Sequence, residues 1–394
     1  MMMMMDGFLS QGPIFIVCLV FMLGVVVVIH ELGHYLAGRY FGAGVESFSV
    51  GFGKPIFERS DKRGTRWRVN WIPLGGFVKF VGESQLPGDV GKIEQGPVGK
   101  PFHEIGVWPR TAIAAAGPAA NFVLAALIFA VFFYFNGAYQ ARVGVTSVVE
   151  GGAAAEAGIE TGDIFVSMGG EAVDNAGDLQ TIVSMSSNKE LLTIVERDGE
   201  EIELTVTPQR QMRENAVGQV QALGTIGITL QEMRDTAQRI DYNPVEALAM
   251  GGVQTWDTVS KTTDMIGRMI TGKEALSSLS GPVAIGDISR RVVNRTMANS
   301  EVPLATRINA LFWSMMTICA AVSVGIGFFN LLPFPVLDGG HIVFNCYEAF
   351  AGKPLPARIQ EGALMAGMFL LLGMFVFITW GDVLETGLFN GARG

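Results

Sequence analysis

The chain has 394 residues, 49% hydrophobic and only 16% charged, with a net charge of −9. A soluble domain carries about a quarter charged residues, so this deficit excludes an ordinary soluble protein and points to a membrane one. The acidic balance gives nucleic-acid binding no support. Three cysteines without a spacing pattern (Cys18, Cys319, Cys346) argue for neither a disulfide framework nor a thiolate metal site.

Four apolar stretches run from about Pro13 to Leu36, Thr111 to Phe135, Leu311 to Leu332 and Ile359 to Trp380. Each meets the ~20 residues needed to cross a ~30 Å hydrocarbon layer. The first follows "MMMMMDGFLSQGP", which has no positive n-region and no small-residue cleavage site after it. It reads as a retained span rather than a signal peptide. Between spans one and two, Arg39 to Arg110, 11 Lys/Arg face 7 Asp/Glu; from Asn136 to Ala310, 14 face 23. The positive-inside rule therefore puts the first loop in the cytoplasm, with both termini and the long acidic segment outside.

The first span ends in "VVVVIHELGHYLAG", Val25 to Gly38. His30 and His34 are four residues apart in a helical context, so their rings share one face, the spacing that two nitrogen ligands of a tetrahedral zinc require. Glu31 sits between them, off the ligand face but within reach of water activated at such a metal. It is placed to take a proton and pass it to a leaving amine. An accidental match would normally sit on a solvated helix; ionisable residues at membrane depth are functional candidates by default.

In the first loop, "VESFSVGFGKPIFERS" and "TRWRVNWIPLGGFVKF" alternate apolar and polar residues between glycines and prolines, the pattern of strands and hairpins. Gly51, Gly53, Gly75 and Gly76 suggest bulges or close backbone approach. Gln85 to Lys100 reads as a loop. From Ala141 to Pro208, strand, short helix and turn signals surround "AAAEAGIETGDIF". An amphipathic helix is expected at "DLQTIVSMSS", and a hairpin turned at Asp198-Gly199. This stretch resembles a single PDZ domain, which implies capture of an extended peptide at a sheet edge. From Asn243 to Thr271, apolar residues including Val245, Leu248, Val253 and Trp256 form one helical stripe, suited to a membrane surface, to the PDZ-like domain, or to both.

A third ligand can come from Asp338 or His341 in "NLLPFPVLDGGHIVF", at the end of span three, or from His103 in "PFHEIGV". His103 lies in a polar loop and reads as solvated. Pro333 and Pro335 break the helix before Asp338, and Asn330 offers amide groups at the same depth. Broken backbone inside a bilayer is tolerated where it lines a cavity.

"HELGH", "AAAGPAANF" and "NLLPFPVLDGG", in that order, together resemble the site-two protease family of intramembrane zinc metalloproteases. "GFGKPIF", "IPLGGFVKF" and "LSGPVAIG" are similar to its bacterial branch, the regulator of sigma-E proteases. The resemblance implies Zn²⁺ held by His30, His34 and Asp338, with Glu31 as general base. It sets His341 aside and implicates Asn330, Pro333 and Pro335 in substrate accommodation. It also implies a membrane re-entrant β-hairpin around Gly51, Phe52 and Gly53 that offers an edge to substrate.

The expected fold is a polytopic α-helical membrane protein of four spans, with that hairpin region and one extracytoplasmic α+β PDZ domain. Its parts are an N-terminal membrane half (1–140), the PDZ domain (141–208), an extracytoplasmic segment with the amphipathic helix (209–302) and a C-terminal membrane half (303–394). The resemblance implies a multi-pass protein of the bacterial inner membrane, active in stress-response proteolysis. It would cleave single-span proteins in the bilayer, such as an anti-sigma factor after a first cut or remnant signal peptides. One PDZ domain, where well-known relatives have two, departs from the family pattern. A catalytically silent PDZ adaptor would predict loss of Glu31 or of a ligand, and neither is lost. A metal transporter would want ionisable residues in several spans, and spans two and four have essentially none.

Overall fold

The computed structural model describes residues 2–82, 98–214, 220–233, 236–271, 282–298 and 302–385. In chain order, α1 (Met2–Tyr40) leads to strands β1 (Val45–Ser60) and β2 (Arg66–Phe80), then α2 (Val107–Asn136). Next come β3 (Ala138–Gln140), β4 (Val143–Val148), α3 (Ala153–Glu156), β5 (Ile164–Met168), β6 (Glu171–Ala172), α4 (Ala176–Met185), β7 (Leu191–Arg197) and β8 (Glu200–Val206). The strands β9 (Gln209–Glu214), β10 (Val220–Thr225), β11 (Ile228–Glu232) and β12 (Gln238–Ile240) follow. The helices α5 (Pro244–Ile270), α6 (Pro282–Ala298), α7 (Leu304–Leu331), α8 (Asp338–Ala351) and α9 (Ala357–Glu385) complete the chain. Two compact units result: Met1–Phe132 with Glu246–Gly394, and Phe133–Val245.

Among the described residues, Val107–Asn136, Leu304–Leu331 and Ala357–Trp380 are long and apolar enough to cross a membrane. Helix α1 runs 39 residues, and the side chains of its residues 2–19 and 21 lie outside the described residues. The loop expected from Gln85 falls almost wholly outside them too.

The two expected strands of the first loop are present, and their pairing is doubled. Ser47–Val50 are flanked by Gly76–Lys79 on one side and by Arg66–Val69 on the other. The chain turns back at Gly51, whose φ of +81° suits glycine alone. A Cβ there would also lie 2.4 Å from Ile72 O. Asn70 Nδ2 donates to Gly51 O (2.8 Å), fixing the bend.

In the second unit the sheet order is β11-β4-β5-β7-β8, with β6 on β5. Val143, Val145, Phe165, Met168, Leu179, Val195, Val206 and Ile226 form a continuous buried core under α4. Helix α4 is capped by Asn175, whose side-chain oxygen accepts from Asp178 N–H (3.0 Å). The β7–β8 hairpin turns at Asp198 (φ +55°) and Gly199 (φ +86°), the two left-handed positions of a type I′ turn. Strand β11 ("ITLQE") lies beyond the 208 boundary that composition suggested, yet it pairs with β4 at the edge of this sheet.

Helix α5 forms where periodicity places it, but the face that packs is not the apolar stripe. Val245, Leu248, Val253 and Trp256 are exposed, whereas Ala247, Gly251 and Thr255 are buried. Gly251 meets α2 so closely that a Cβ would lie 2.3 Å from Ala126 O. A residue without a side chain lets the two helix backbones approach this closely.

Candidate active site and metal centre

Helices α1 and α2 cross on small residues. At Gly33, between the two histidines, a Cβ would sit 2.3 Å from Ala116 O and 2.8 Å from Ala120 Cβ. At Gly117, a Cβ would sit 2.2 Å from His34 Nε2. The small-residue run in "AAAGPAANF" thus provides space for the α1 backbone and for one imidazole.

His30, His34 and Asp338 come together from α1 and from the first residue of α8. One ligand atom from each lies within 4.8 Å of the others. His30 Nε2 is 3.1 Å from His34 Nε2 and 3.1 Å from Asp338 Oδ2; His34 Nε2 is 3.4 Å from Asp338 Oδ1. Ligand atoms about 2.0–2.2 Å from one tetrahedral ion stand about 3.3–3.6 Å apart, so the spacing suits one shared metal. His34 Nδ1 donates to Ile113 O of α2 (2.8 Å), which leaves Nε2 its lone pair. Two imidazoles and one carboxylate are also a donor set that zinc accepts, with a position left open.

Glu31 Oε2 accepts from the backbone N–H of Val78 (3.0 Å), in the strand segment paired with Phe48. The base candidate is therefore held by a sheet edge. A cavity of about 580 Å³ joins these groups, lined among others by Glu31, Val78, Asn330, Asp338 and His341. Arg110 and Glu348 also line it, joined by a 2.6 Å ion pair between α2 and α8.

The remaining sequence candidates separate clearly. His341 lines the cavity but is outside the three-residue cluster. His103 is exposed in a short 3₁₀ turn, away from the cavity wall. Asn330 stands in the last turn of α7 on the wall. Pro333 and Pro335 form the bend between α7 and α8, where Pro335 packs against Gly367 of α9. Phe52, between Gly51 and Gly53, stacks on Phe77 at 6.4 Å, and Phe77 lines the cavity.

The model of Peptidase family M50 matches residues 18–374, which takes in every one of these groups. This chain belongs to peptidase family M50. Among its M50 relatives, the metalloprotease MmpA of Caulobacter vibrioides is 36% identical over 404 residues, covering 99% of both chains. A protein of Agrobacterium fabrum named as a candidate zinc metalloprotease is 38% identical over 382 residues, 96% of this chain and 97% of its own. Among solved structures, the PDZ domain of an SdrC-like protein from Listeria monocytogenes covers 22% of this chain and 85% of its own, at 18% identity and a TM-score of 0.18.

In the sequence alone, Gly117 and Asn121 of the α2 motif carry no evident task, and nothing marks Gly33 or the Val78 amide as part of the site. The signal for the first two was present: a glycine beside three alanines, and a lone amide side chain inside an apolar span.

Proposed function

We propose that this M50 peptidase is an intramembrane zinc endopeptidase that cleaves the membrane segments of single-span proteins. The observation that carries this reading is the meeting of His30, His34 and Asp338 beside Glu31. His30, His34 and Asp338 hold the zinc. When bound, zinc polarises the scissile carbonyl and makes water acidic enough to deprotonate near neutral pH. Glu31, its carboxylate oriented by the Val78 N–H, would serve as the general base and then as the proton donor to the departing amine.

A helical peptide bond is sheltered within its own hydrogen-bond ladder, so substrate must unwind before it is cut. The strand segment Gly76–Phe80 lies beside Glu31 and offers an edge on which an unwound segment satisfies its freed backbone groups. Phe52, with Gly51 and Gly53, forms the hairpin bend next to that edge, while Asn330 lines the cavity and the Pro333–Pro335 bend leads into its lining residues Val336, Leu337 and Asp338, where substrate is accommodated.

The chain crosses the inner membrane four times, α1 included, with the first loop cytoplasmic and both termini and the β4–β11 sheet (143–232) periplasmic. That sheet is a PDZ-type domain that binds an extended peptide and restricts entry of bulky substrates. Substrates by resemblance are anti-sigma factors after a first cut, and remnant signal peptides.

The test is Glu31→Gln in the purified full chain. Zinc is retained and cleavage of a model single-span substrate falls by at least about 100-fold, the range for loss of a general base. Cleavage at the wild-type rate would remove Glu31 from the mechanism.

A further inference from the structure

Asn121 carries an amide that is fully enclosed yet half used. It is 0% exposed in the middle of α2. One amide atom faces His30 Nδ1 at 3.2 Å, and its backbone carbonyl accepts from Ser323 Oγ of α7 (2.9 Å). With the amide nitrogen turned to the ring, Oδ1 has no donor, and buried oxygens are rarely left so. That orientation also asks His30 to keep its proton on Nε2, the atom directed at Asp338 and His34. A ligating imidazole needs the reverse: a lone pair on Nε2 and a proton on Nδ1. Rotating the amide exchanges its oxygen and nitrogen without moving the ring, because the two atoms are alike in shape.

We infer that Asn121 presents its amide oxygen to His30 Nδ1–H and so fixes His30 as an Nε2 metal ligand. It is a positioning residue acting through His30. Helix α2 then orients both imidazoles, His34 through Ile113 O and His30 through Asn121. The Ser323 hydroxyl ties the same point of α2 to α7, the helix that leads into the Asp338 bend. The inference rests on the metal reading proposed above.

The experiment compares zinc affinity, by chelator competition, in the purified full-length wild type, Asn121→Leu and Asn121→Asp. The Leu variant keeps bulk but offers no acceptor, and its affinity falls by about 10–100-fold, the usual range for a lost ligand partner. The Asp variant still accepts from Nδ1–H and stays within a few-fold of wild type. In the cobalt-substituted chain, a second readout independent of cleavage is the exchangeable Nδ1–H resonance of His30, kept by Asp and lost by Leu. Wild-type affinity in the Leu variant, or an Asp variant as weak as Leu, overturns the inference. If the Leu variant does not fold, Asp alone decides, since a carboxylate cannot donate to Nδ1. A wild-type chain holding no zinc would instead overturn the metal reading and this inference with it.

Discussion

In the Phe133–Val245 unit, Val143, Phe165, Leu179, Val195 and Val206 fill one apolar core, the usual means by which a sheet is held in water. At the crossing of α1 and α2 the contacts are Gly33 on Ala116 and Gly117 on His34, with Asn121 and Ile113 O holding the imidazoles. Burying large side chains gains little among lipid tails, so close backbone approach and hydrogen bonds take over there. One unit tolerates changes that keep volume. The other tolerates almost no added atom at its crossing, yet the atoms it places so closely are the ones its chemistry uses.

The largest expected effect breaks the crossing with a single methyl. Gly117→Ala drives a Cβ to 2.2 Å from His34 Nε2, the ligand nitrogen, so the ring or the helix must shift. Zinc affinity falls by about 100-fold or more, the upper end for disturbing a ligand's orientation, and cleavage falls with it. Chelator competition on the purified chain checks this. Unchanged affinity would mean the crossing is looser than the contact implies.

The matching test in the sheet removes core volume. Phe165→Ala deletes a ring that is 2% exposed and costs the Phe133–Val245 unit about 3–5 kcal/mol of stability. Hydrogen exchange over β5 and β7 should report that loss while bound zinc per chain stays as in wild type. Loss of zinc would show that the two regions do not separate energetically.

The smallest effect is electrostatic. Burial alone would raise the Asp163 carboxyl, but Arg197 donates to both its oxygens (2.6 and 2.8 Å) and Glu160 N–H adds a third bond. The net result is a carboxyl held below the ordinary carboxylate range. A depressed carboxyl lends stability in full above its unfolded value of about 4, and that stability is lost as pH falls through the lower folded value. The sheet unit should therefore unfold more readily in acid below about pH 4, and Asp163→Asn should flatten that dependence while lowering stability at neutral pH. A melting profile of equal slope in both proteins would contradict it.

Much of this was legible in the sequence because the determinants are local. The four-residue spacing of His30 and His34 is a property of any helix, and Asp198-Gly199 asks for its turn wherever it stands. What escaped was set by partners distant in sequence. The doubled pairing of Ser47–Val50 depends on the bend at Gly51 meeting Ile72. Strand β11 joins the sheet only through β4, about eighty residues earlier. The apolar stripe of α5 was legible and its partner was left open, but the face that packs was not read, because Ala247, Gly251 and Thr255, which meet the rest of the unit, carry no apolar periodicity. Asn121 stood in the family-like string "AAAGPAANF" with no task of its own, because its partner His30 lies on another helix.

The most direct test of the central claim is zinc X-ray absorption on the purified Glu31→Gln chain, beside the same chain carrying Asp338→Ala. The account predicts about one zinc per chain with nitrogen and oxygen ligands at about 2.0–2.2 Å and no sulfur, and loss of that zinc when Asp338 is removed. A metal-free chain, a sulfur ligand, or an unchanged spectrum without Asp338 would contradict it.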